Sequence, residues 1–276
     1  MNYIDDSGLQ VADIIVGLKY AGFNEIPEDD MKFDEYAGDK IYVKMNELYE
    51  TRKELVEKRE YVLKQLEKNN DRDWFSAHKD TFKSIEKEVK QFNTHVFNLL
   101  NTHDDVDKLK LFRIYRDVRF SKNKQPYKTH FGCSFNRVKP KLRGGYYIHI
   151  QPNNQSFIAT GFWDPNKDDL FRIRKEFEMD DEDIRAILKD KEFASIWGNF
   201  KGDELKTAPK GFDKSHPAID LIRRKQFIFT KEFSDQEVLS PDFITTIDQA
   251  FKAIRPFFDL MSDILTTDLN GQSIID

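Results

Sequence analysis

The fold is decided by residues 129–163, which read THFGCSFNRVKPKLRGGYYIHIQPNNQSFIATGFW. Apolar and polar residues alternate in three parts of this segment, and a period of two is typical of a strand with one buried face. The pattern predicts three strands, at residues 129–137, 146–151 and 156–163. Gly144-Gly145 and Pro152-Asn153-Asn154 are turn sequences between them, so the strands should form an antiparallel meander with one apolar and one more polar face.

Helical periodicity flanks this block on both sides. Apolar residues recur at helical spacing in residues 46–68, 72–100, 166–197, 215–224 and 241–267. Pro256 should kink or split the last of these helices, and residues 226–230 favour a further strand. The predicted class is α+β, with a central antiparallel meander sheet flanked by N-terminal and C-terminal helices.

The length of 276 residues allows one large core, or one core with a small appendage. Residues 1–40 hold ten acids against three lysines, which sets them apart from the rest of the chain. We therefore predict an acidic helical N-terminal appendage at residues 1–45 and a single α+β domain at residues 46–276. The appendage is a candidate docking segment for a protein partner.

Composition excludes several classes of protein. The only cysteine is Cys133, so an internal disulfide and a cysteine-rich zinc site are excluded, and a reducing, cytoplasmic location is expected. No stretch approaches 18 consecutive apolar residues, and the N-terminus lacks a basic start followed by an apolar run. We therefore expect no membrane span, no membrane partner and no secretory signal.

Positive charge is concentrated in residues 108–143. This window holds twelve basic residues and one acid, Asp117, so it carries +11 in a chain whose net charge is −5. A cluster of one sign in a chain of the other sign focuses the local field and attracts anions. The alternative is an ordinary solvated face. Aromatic and aliphatic residues interleave with the basic ones, which argues against a free tail.

The segment that follows Phe112 has the pattern of an anion clamp. If residues 113–121 are extended, Arg113, Asp117 and Arg119 share one face, and Arg116 lies on the other. Asp117 would orient an arginine, whose fork can then bind phosphate or carboxylate with two hydrogen bonds. The predicted anion-binding residues are Arg113, Arg116, Arg119, Ser121, Lys122, Lys124, Tyr127 and Lys128. We expect them to converge on one cavity; the alternative is a structural salt-bridge network that joins the helices to the sheet.

Acid–base candidates are few. Asp117 and His130 are the candidate catalytic residues, because both lie within or beside the basic segment. His130 and His149 fall on the polar sides of neighbouring strands and could meet. Asp213 and His216 lie three residues apart in a loop bounded by prolines, so His149, Asp213 and His216 are candidates for a second, metal or acid–base site. No glycine-rich phosphate loop and no His-Glu-x-x-His motif occurs, so no cofactor or metal is assigned.

Three segments of the chain resemble a known family. They are Asn69-Asn70-Asp71-Arg72-Asp73-Trp74-Phe75, residues 112–130, and Lys210-Gly-Phe-Asp-Lys-Ser-His-Pro217 with Lys225. Over about residues 58–270 the sequence is similar to the proteins grouped as domain of unknown function 2461. The resemblance implies a single α+β domain, and it implies no activity.

Two functional hypotheses of different class follow from the basic segment. One is an enzyme that acts on a phosphorylated or nucleic-acid substrate. The other is a non-catalytic module that binds nucleic acid or a nucleotide, with Tyr115, Phe120 and Tyr127 stacking on bases. A third hypothesis is a protein-interaction scaffold. The first two share an anionic ligand, either a phosphate-bearing small molecule or nucleic acid.

Overall fold

The computed structural model describes residue 54 and residues 56–275, so the prediction for residues 1–45 lies outside the described part. In that part, five strands form one sheet, and every neighbouring pair is antiparallel and consecutive in the chain. The strands are β1 (Val106–Leu111), β2 (Phe131–Arg137), β3 (Gly145–Ile150), β4 (Ser156–Phe162) and β5 (Phe227–Phe233). The predicted meander is confirmed.

Helices precede the sheet, follow it and fill the connection between β4 and β5. The N-terminal helices are α1 (residues 56–68), α2 (Arg72–Ala77) and α3 (Lys79–Leu100). The connection holds α4 (Lys167–Met179), α5 (Glu182–Lys189), α6 (Lys191–Trp197) and α7 (Ile219–Ile222). The C-terminal helices are α8 (Asp235–Leu239), α9 (Phe243–Ala253) and α10 (Arg255–Thr266). The α+β class is confirmed.

One face of the sheet, which we call the closed face, carries the main core. Cys133, Phe135, Ile148, Ile158 and Phe229 alternate along the strands and are at most 1% exposed. The same core cluster includes apolar side chains of α3, α4, α6, α9 and α10. Truncation of a buried phenylalanine in such a core costs about 3–5 kcal/mol, so this face holds the fold together.

The opposite face, which we call the open face, is less completely covered. Its side chains lie in cross-strand rows, of which one joins Ser134, Tyr147 and Ala159. Ser134 and Tyr147 are only half-buried. Unlike the closed face, the open face is therefore accessible to a ligand.

The connection between β1 and β2 is the basic segment itself; we call residues 112–130 the basic loop. Its base is closed by a bridge between Tyr115 and Tyr127. The Tyr127 ring stacks on Phe75 of α2 at 4.0 Å between centroids. The Asn70 side chain also bonds the backbone N–H and C=O of Tyr127, each at 3.1 Å. The loop is thereby fixed to the corner between α1 and α2.

Three local features differ from the sequence expectations or sharpen them. Residues 113–121, for which an extended conformation was considered, form no strand and only the single bridge at Tyr115. Strand β1 is present but was not predicted from the sequence. The predicted helix at residues 72–100 is interrupted at His78, which has φ −107° and ψ 10°. The predicted break near Pro256 is confirmed, because α9 ends at Ala253 and Pro256 lies in the first turn of α10.

Candidate functional site

Part of the positive charge serves the fold. The Arg137 side chain is fully buried, and its Nε donates to Asp104 Oδ2 at 2.7 Å. Tyr146 Oη donates to the same oxygen at 2.5 Å, and Arg255 of α10 pairs with the other carboxylate oxygen. Burial alone would raise the pKa of Asp104, but the hydrogen bonds from Arg137 and Tyr146 outweigh it and hold the pKa below its usual value. This network joins the sheet to α10. It is a salt-bridge network of the kind considered above for the basic segment, but it is formed by Arg137, Asp104 and Arg255.

A cavity of about 630 Å³ lies on the open face. Small residues of three strands form its floor: Ser134 of β2, Gly145 of β3, and Ala159 and Gly161 of β4. Gly161 has φ +118°, and a Cβ atom at this position would lie 2.1 Å from the Phe227 carbonyl oxygen. Only glycine fits such a close approach between the backbones of β4 and β5.

Aromatic side chains form one wall of the cavity. The Phe112 ring meets Tyr147 edge-on at 6.2 Å, and Tyr147 lies 5.9 Å from Phe157. All three rings line the cavity and are half-buried. Trp163, which follows β4, also lines the cavity and is 66% exposed. An accessible aromatic side chain of this size is suited to stacking on a planar ligand.

Two lysines lie over the Phe112 ring of this wall, Lys110 of β1 and Lys128 of the basic loop. Lys110 Nζ lies 5.0 Å and Lys128 Nζ 5.4 Å from the centre of the Phe112 ring. Burial, with repulsion from Arg113 and Lys110, lowers the pKa of Lys128. Neither lysine forms an ion pair with a residue that the structure describes. Phe112 thus connects the basic loop to the cavity.

His130 and His149 meet as the sequence predicted, with ring centroids 4.1 Å apart. His149 also stacks on Phe157 at 4.5 Å, and its Nε2 lies 2.8 Å from Gln151 Oε1. Burial, followed by the charges of His149, Lys128 and Arg116, lowers the pKa of His130 to about 4. His130 is therefore a neutral imidazole at neutral pH, beside the aromatic wall.

A second group of charged side chains lies at the other end of the cavity. Arg143 and Lys139 line the cavity there, together with Asp164 and Asp169. Arg143 donates to both carboxylate oxygens of Asp169, at 3.0 and 3.1 Å. Its Nε atom is buried and has no hydrogen-bond partner within the described part of the chain. The paired carboxylate fixes the orientation of this guanidinium.

The two arginines predicted to share a face with Asp117, Arg113 and Arg119, both interact with its carboxylate. Arg119 binds Asp117 with two guanidinium nitrogens, at 2.9 and 2.6 Å, and both residues are exposed. Hydrogen bonds from Arg119, with a smaller effect of the Arg113 charge, lower the pKa of Asp117. The positive charge of Arg116 instead contributes to lowering the pKa of His130. The two predicted catalytic residues, Asp117 and His130, therefore have different cationic neighbours.

The tip of the basic loop lies away from the cavity. Of the basic loop, only Phe112 lines the cavity; the eight predicted anion-binding residues, Ser121 and Lys122 among them, do not. If these residues converge on a common site, that site is therefore not the open-face cavity. Lys124 Nζ donates to the Val118 carbonyl oxygen at 3.0 Å, and Phe120 is 97% exposed. The tip turns back on itself and presents its side chains to solvent.

Three predicted residues have local structural partners. Tyr127 is 5% exposed and packs in the cluster with Phe75, so it anchors the basic loop. Asp213 accepts hydrogen bonds from the backbone N–H and Oγ of Ser215, at 2.9 and 2.8 Å. His216 Nδ1 accepts from the Ala218 N–H at 3.1 Å. Asp213 and His216 thereby stabilise the turn before α7. Within the described residues, no three His, Cys, Asp or Glu side chains are grouped to hold a metal ion.

Sequence reasoning missed several cavity residues. Tyr147 and Phe157 were assigned only to the strands, and Trp163 only to a strand end. Lys139 and Arg143 were counted in the basic window but received no role. A usable signal was present, since Tyr147 alternates with buried residues on the same strand as His149. The cavity itself was not predictable, because its floor depends on the cross-strand alignment of Gly145 with Gly161.

Comparison with known proteins identifies the family. The family model described as "Conserved hypothetical protein (DUF2461)" matches residues 61–260 of the chain. The chain belongs to the DUF2461 family. The matched DUF2461 region contains all five strands, the basic loop and the open-face cavity. No curated protein and no solved structure matches the chain. Across the described residues, no helix combines the length and the apolar character that crossing a membrane would require.

Proposed function

We propose that the open face binds a nucleotide unit, either as a free nucleotide or within single-stranded nucleic acid. One observation carries this proposal: a cavity of about 630 Å³ has an aromatic wall, and Lys110 and Lys128, which form no ion pair with the described residues, lie over the Phe112 ring of that wall. The ligand must therefore offer both a flat apolar surface and negative charge. A base attached to a phosphate has both, whereas an inorganic anion or a purely apolar ligand has only one.

The aromatic side chains account for the base. Trp163 is accessible from solvent, and Phe112, Tyr147 and Phe157 present partly exposed rings to the cavity. Stacking of a base on such a side chain contributes about 1–3 kcal/mol and tolerates any base. The cavity volume of about 630 Å³ also lies in the range of small-ligand sites, roughly 300–1,000 Å³.

The cations account for the phosphate. Four cations at the loop end of the cavity form no ion pair with the described residues: Lys110, Lys128, Arg113 and Arg116. The positive charges of Arg113 and Lys110 repel that of Lys128 and lower its pKa. Grouping like charges is unfavourable until an anion is bound. At the other end, the Arg143 guanidinium is oriented by its two hydrogen bonds to Asp169. A strand of several nucleotides would reach both ends, whereas a mononucleotide would use one.

Catalysis is a second candidate function, and one observation favours it. His130 is neutral at neutral pH, because its pKa is about 4, and it lies near Lys128 and Arg116. A neutral imidazole beside a phosphate site can act as a general base. Asp117 is less suited to this role, because its carboxylate is already paired with Arg119 and both side chains are exposed to solvent. Release of inorganic phosphate or of nucleotides by wild-type protein, but not by His130→Gln, would establish this candidate.

Two further expectations stay proposals. Cytoplasmic location rests on the single cysteine, Cys133, which is buried. A protein partner for residues 1–45 rests on their acidic composition. An acidic segment and a basic sheet face attract each other, so residues 1–45 would compete with nucleic acid for the open face.

The proposal is tested by equilibrium binding of fluorescently labelled ligands. A labelled single-stranded oligonucleotide and a labelled mononucleotide are the two arms, and duplex DNA is the comparison ligand. Trp163→Ala should weaken binding about 5- to 150-fold, corresponding to about 1–3 kcal/mol of stacking. Tyr61→Ala is the matched control, because Tyr61 is 63% exposed on α1 and is absent from the residues that line the cavity.

The two arms distinguish the sources of the nucleotide unit. Tighter binding of the oligonucleotide than of the mononucleotide, with affinity that falls as salt is added, indicates single-stranded nucleic acid. Equal affinity for both indicates a free nucleotide. Failure of the wild-type protein to bind either ligand, or equal weakening by Trp163→Ala and Tyr61→Ala, would contradict the proposal.

A further inference from the structure

The floor of the open-face cavity presents two polar side chains of β2. This strand has a neighbouring strand on each side, and all its residues are buried except Ser134 and Asn136. The two residues are two positions apart, so their side chains lie on the same face of the sheet, and both line the cavity. Neither the Ser134 hydroxyl nor the Asn136 amide hydrogen-bonds to a residue that the structure describes.

Two other hydroxyl groups of the cavity lining already have partners. Thr160 Oγ1 donates to the Gly145 carbonyl oxygen at 3.2 Å, so this hydroxyl serves the sheet. Tyr147 Oη lies 3.3 Å from Nδ1 of His149 on the same strand. The side chains of Ser134 and Asn136 differ from these two, because their hydrogen-bonding groups are left for a ligand.

The Asn136 amide is open to a ligand in the cavity. The residue opposite it on β3 is Gly145, which has no side chain that could bond the amide. The residue opposite it on β1 is Lys108, which is exposed and is absent from the residues that line the cavity. Asn136 is only half-buried, so a ligand can reach its side chain. Asparagine is disfavoured in strands, and its place on an interior strand therefore points to a role outside the sheet.

The position and chemistry of Asn136 suit a base rather than a phosphate. Ser134 lies level with Lys110 on β1 and with Tyr147 of the aromatic wall on β3. Asn136 lies two residues further along β2, about 7 Å from that level. A neutral amide offers no charge to a phosphate, whereas it matches the donor and acceptor groups on the edge of a base.

We propose that Asn136 hydrogen-bonds the edge of an adenine base, so that the nucleotide unit bound at the open face is an adenine nucleotide. This inference rests on the nucleotide binding proposed above. An asparagine amide offers a donor and an acceptor side by side, and it pairs with N6 and N7 of adenine through two hydrogen bonds. Adenine has the same pair of groups on its other edge, at N6 and N1. Guanine presents two acceptors, N7 and O6, on one edge, and a pyrimidine offers a smaller ring to the aromatic wall.

The test compares mononucleotides and short single strands of each of the four bases by equilibrium binding to the full chain. The wild type should bind the adenine ligand about 5- to 150-fold more tightly than the guanine ligand, which is the discrimination that one bidentate pair provides. Asn136→Ala should lose this preference and should unfold at a temperature close to that of the wild type, because no described residue loses a partner. Asn98→Ala, at an exposed position of α3, is the matched control and should keep the preference.

A second substitution should reverse the preference rather than remove it. In Asn136→Asp, the carboxylate only accepts hydrogen bonds, so it suits the two adjacent donors of guanine, N1–H and the N2 amino group. This variant should therefore bind the guanine ligand more tightly than the adenine ligand. A purely structural role for Asn136 would weaken the binding of all four bases equally in both variants, and that result would overturn the proposal.

A measurement on the wild type covers variants that do not fold. The adenine ligand is compared with the same ligand carrying unsubstituted purine, which differs only in lacking the N6 amino group. Weaker binding of the purine ligand supports the pairing with Asn136, and equal affinity overturns it. Equal affinity for all four bases, or a preference for another base, also overturns the adenine site but leaves the nucleotide proposal standing. Failure of the wild type to bind any of these ligands contradicts both.

Discussion

The two faces of the sheet use positive charge in opposite ways. On the closed face, Arg137 is completely buried and is surrounded by Asp104, Ser262 and the ring of Phe258. On the open face, Lys110 and Lys128 share one aromatic ring and form no ion pair with the described residues. Both faces draw on the same basic window of the sequence, yet only one of them neutralises its charge internally.

This difference separates structural cations from candidate binding cations. A buried charge with a carboxylate partner is fixed by the fold, and its removal leaves that partner uncompensated. A group of cations without partners is unfavourable for the free protein and is satisfied only by an external anion. The net charge of a sequence window cannot distinguish these two kinds of cation, because it does not show which charges are paired. The ion pairs in the structure do distinguish them.

The largest expected effect tests the closed face. Arg137→Met should lower the free energy of unfolding by about 3–5 kcal/mol, because Asp104 would stay buried with one partner fewer. Urea denaturation with unchanged m-values measures this loss. A loss below about 1 kcal/mol would mean that Arg255 and Tyr146 satisfy Asp104 alone, and the closed-face network would not be essential.

An intermediate effect is expected from His130 and depends on pH. Its pKa is about 4 in the folded protein and about 6.5 in the unfolded chain, so the unfolded state binds more protons between these values. Stability should therefore fall by about 1–3 kcal/mol as pH decreases from about 6.5 to 4. His130→Gln should flatten this part of the stability profile, whereas His78→Gln, at an exposed position, should not. Identical profiles for the wild type and His130→Gln would show that His130 titrates normally.

The smallest expected effect tests the open face. The double variant Lys110→Met, Lys128→Met should keep the free energy of unfolding within about 0.5 kcal/mol of the wild type, since no described carboxylate loses a partner. The same variant should bind the labelled oligonucleotide more weakly and with a shallower salt dependence, the slope falling by about 0.7 for each phosphate that the protein no longer neutralises. A stability loss comparable to that of Arg137→Met would remove the distinction between the two faces.

The sequence predicted the strands better than the loop between them. The alternation of apolar and polar residues in residues 129–163 predicted β2, β3 and β4. It also correctly predicted that His130 and His149 lie close together. It did not give β1, because Val106–Leu111 carries Asp107, Lys108 and Lys110. These charges are tolerated because β1 is an edge strand, where lysines also discourage association with other sheets.

The candidate site was harder to predict than the fold. A local pattern can place Arg113 and Arg119 on either side of Asp117, but it cannot say where the whole loop points. The loop direction depends on Tyr127, which packs on Phe75, far away in the sequence. The cavity depends in turn on Gly161 and on its approach to β5. Both are long-range contacts between segments that show no periodic relation.

The central claim, that the open face binds a nucleotide unit, is tested most directly by photocrosslinking. A single-stranded oligonucleotide and a mononucleotide with photoreactive bases are irradiated with the full chain, and crosslinked peptides are identified by mass spectrometry. We predict crosslinks at Trp163, Tyr147 or Phe112, which line the cavity. Crosslinks confined to exposed aromatic residues elsewhere, such as Tyr61 or Phe120, or no crosslink with either ligand, would contradict the account.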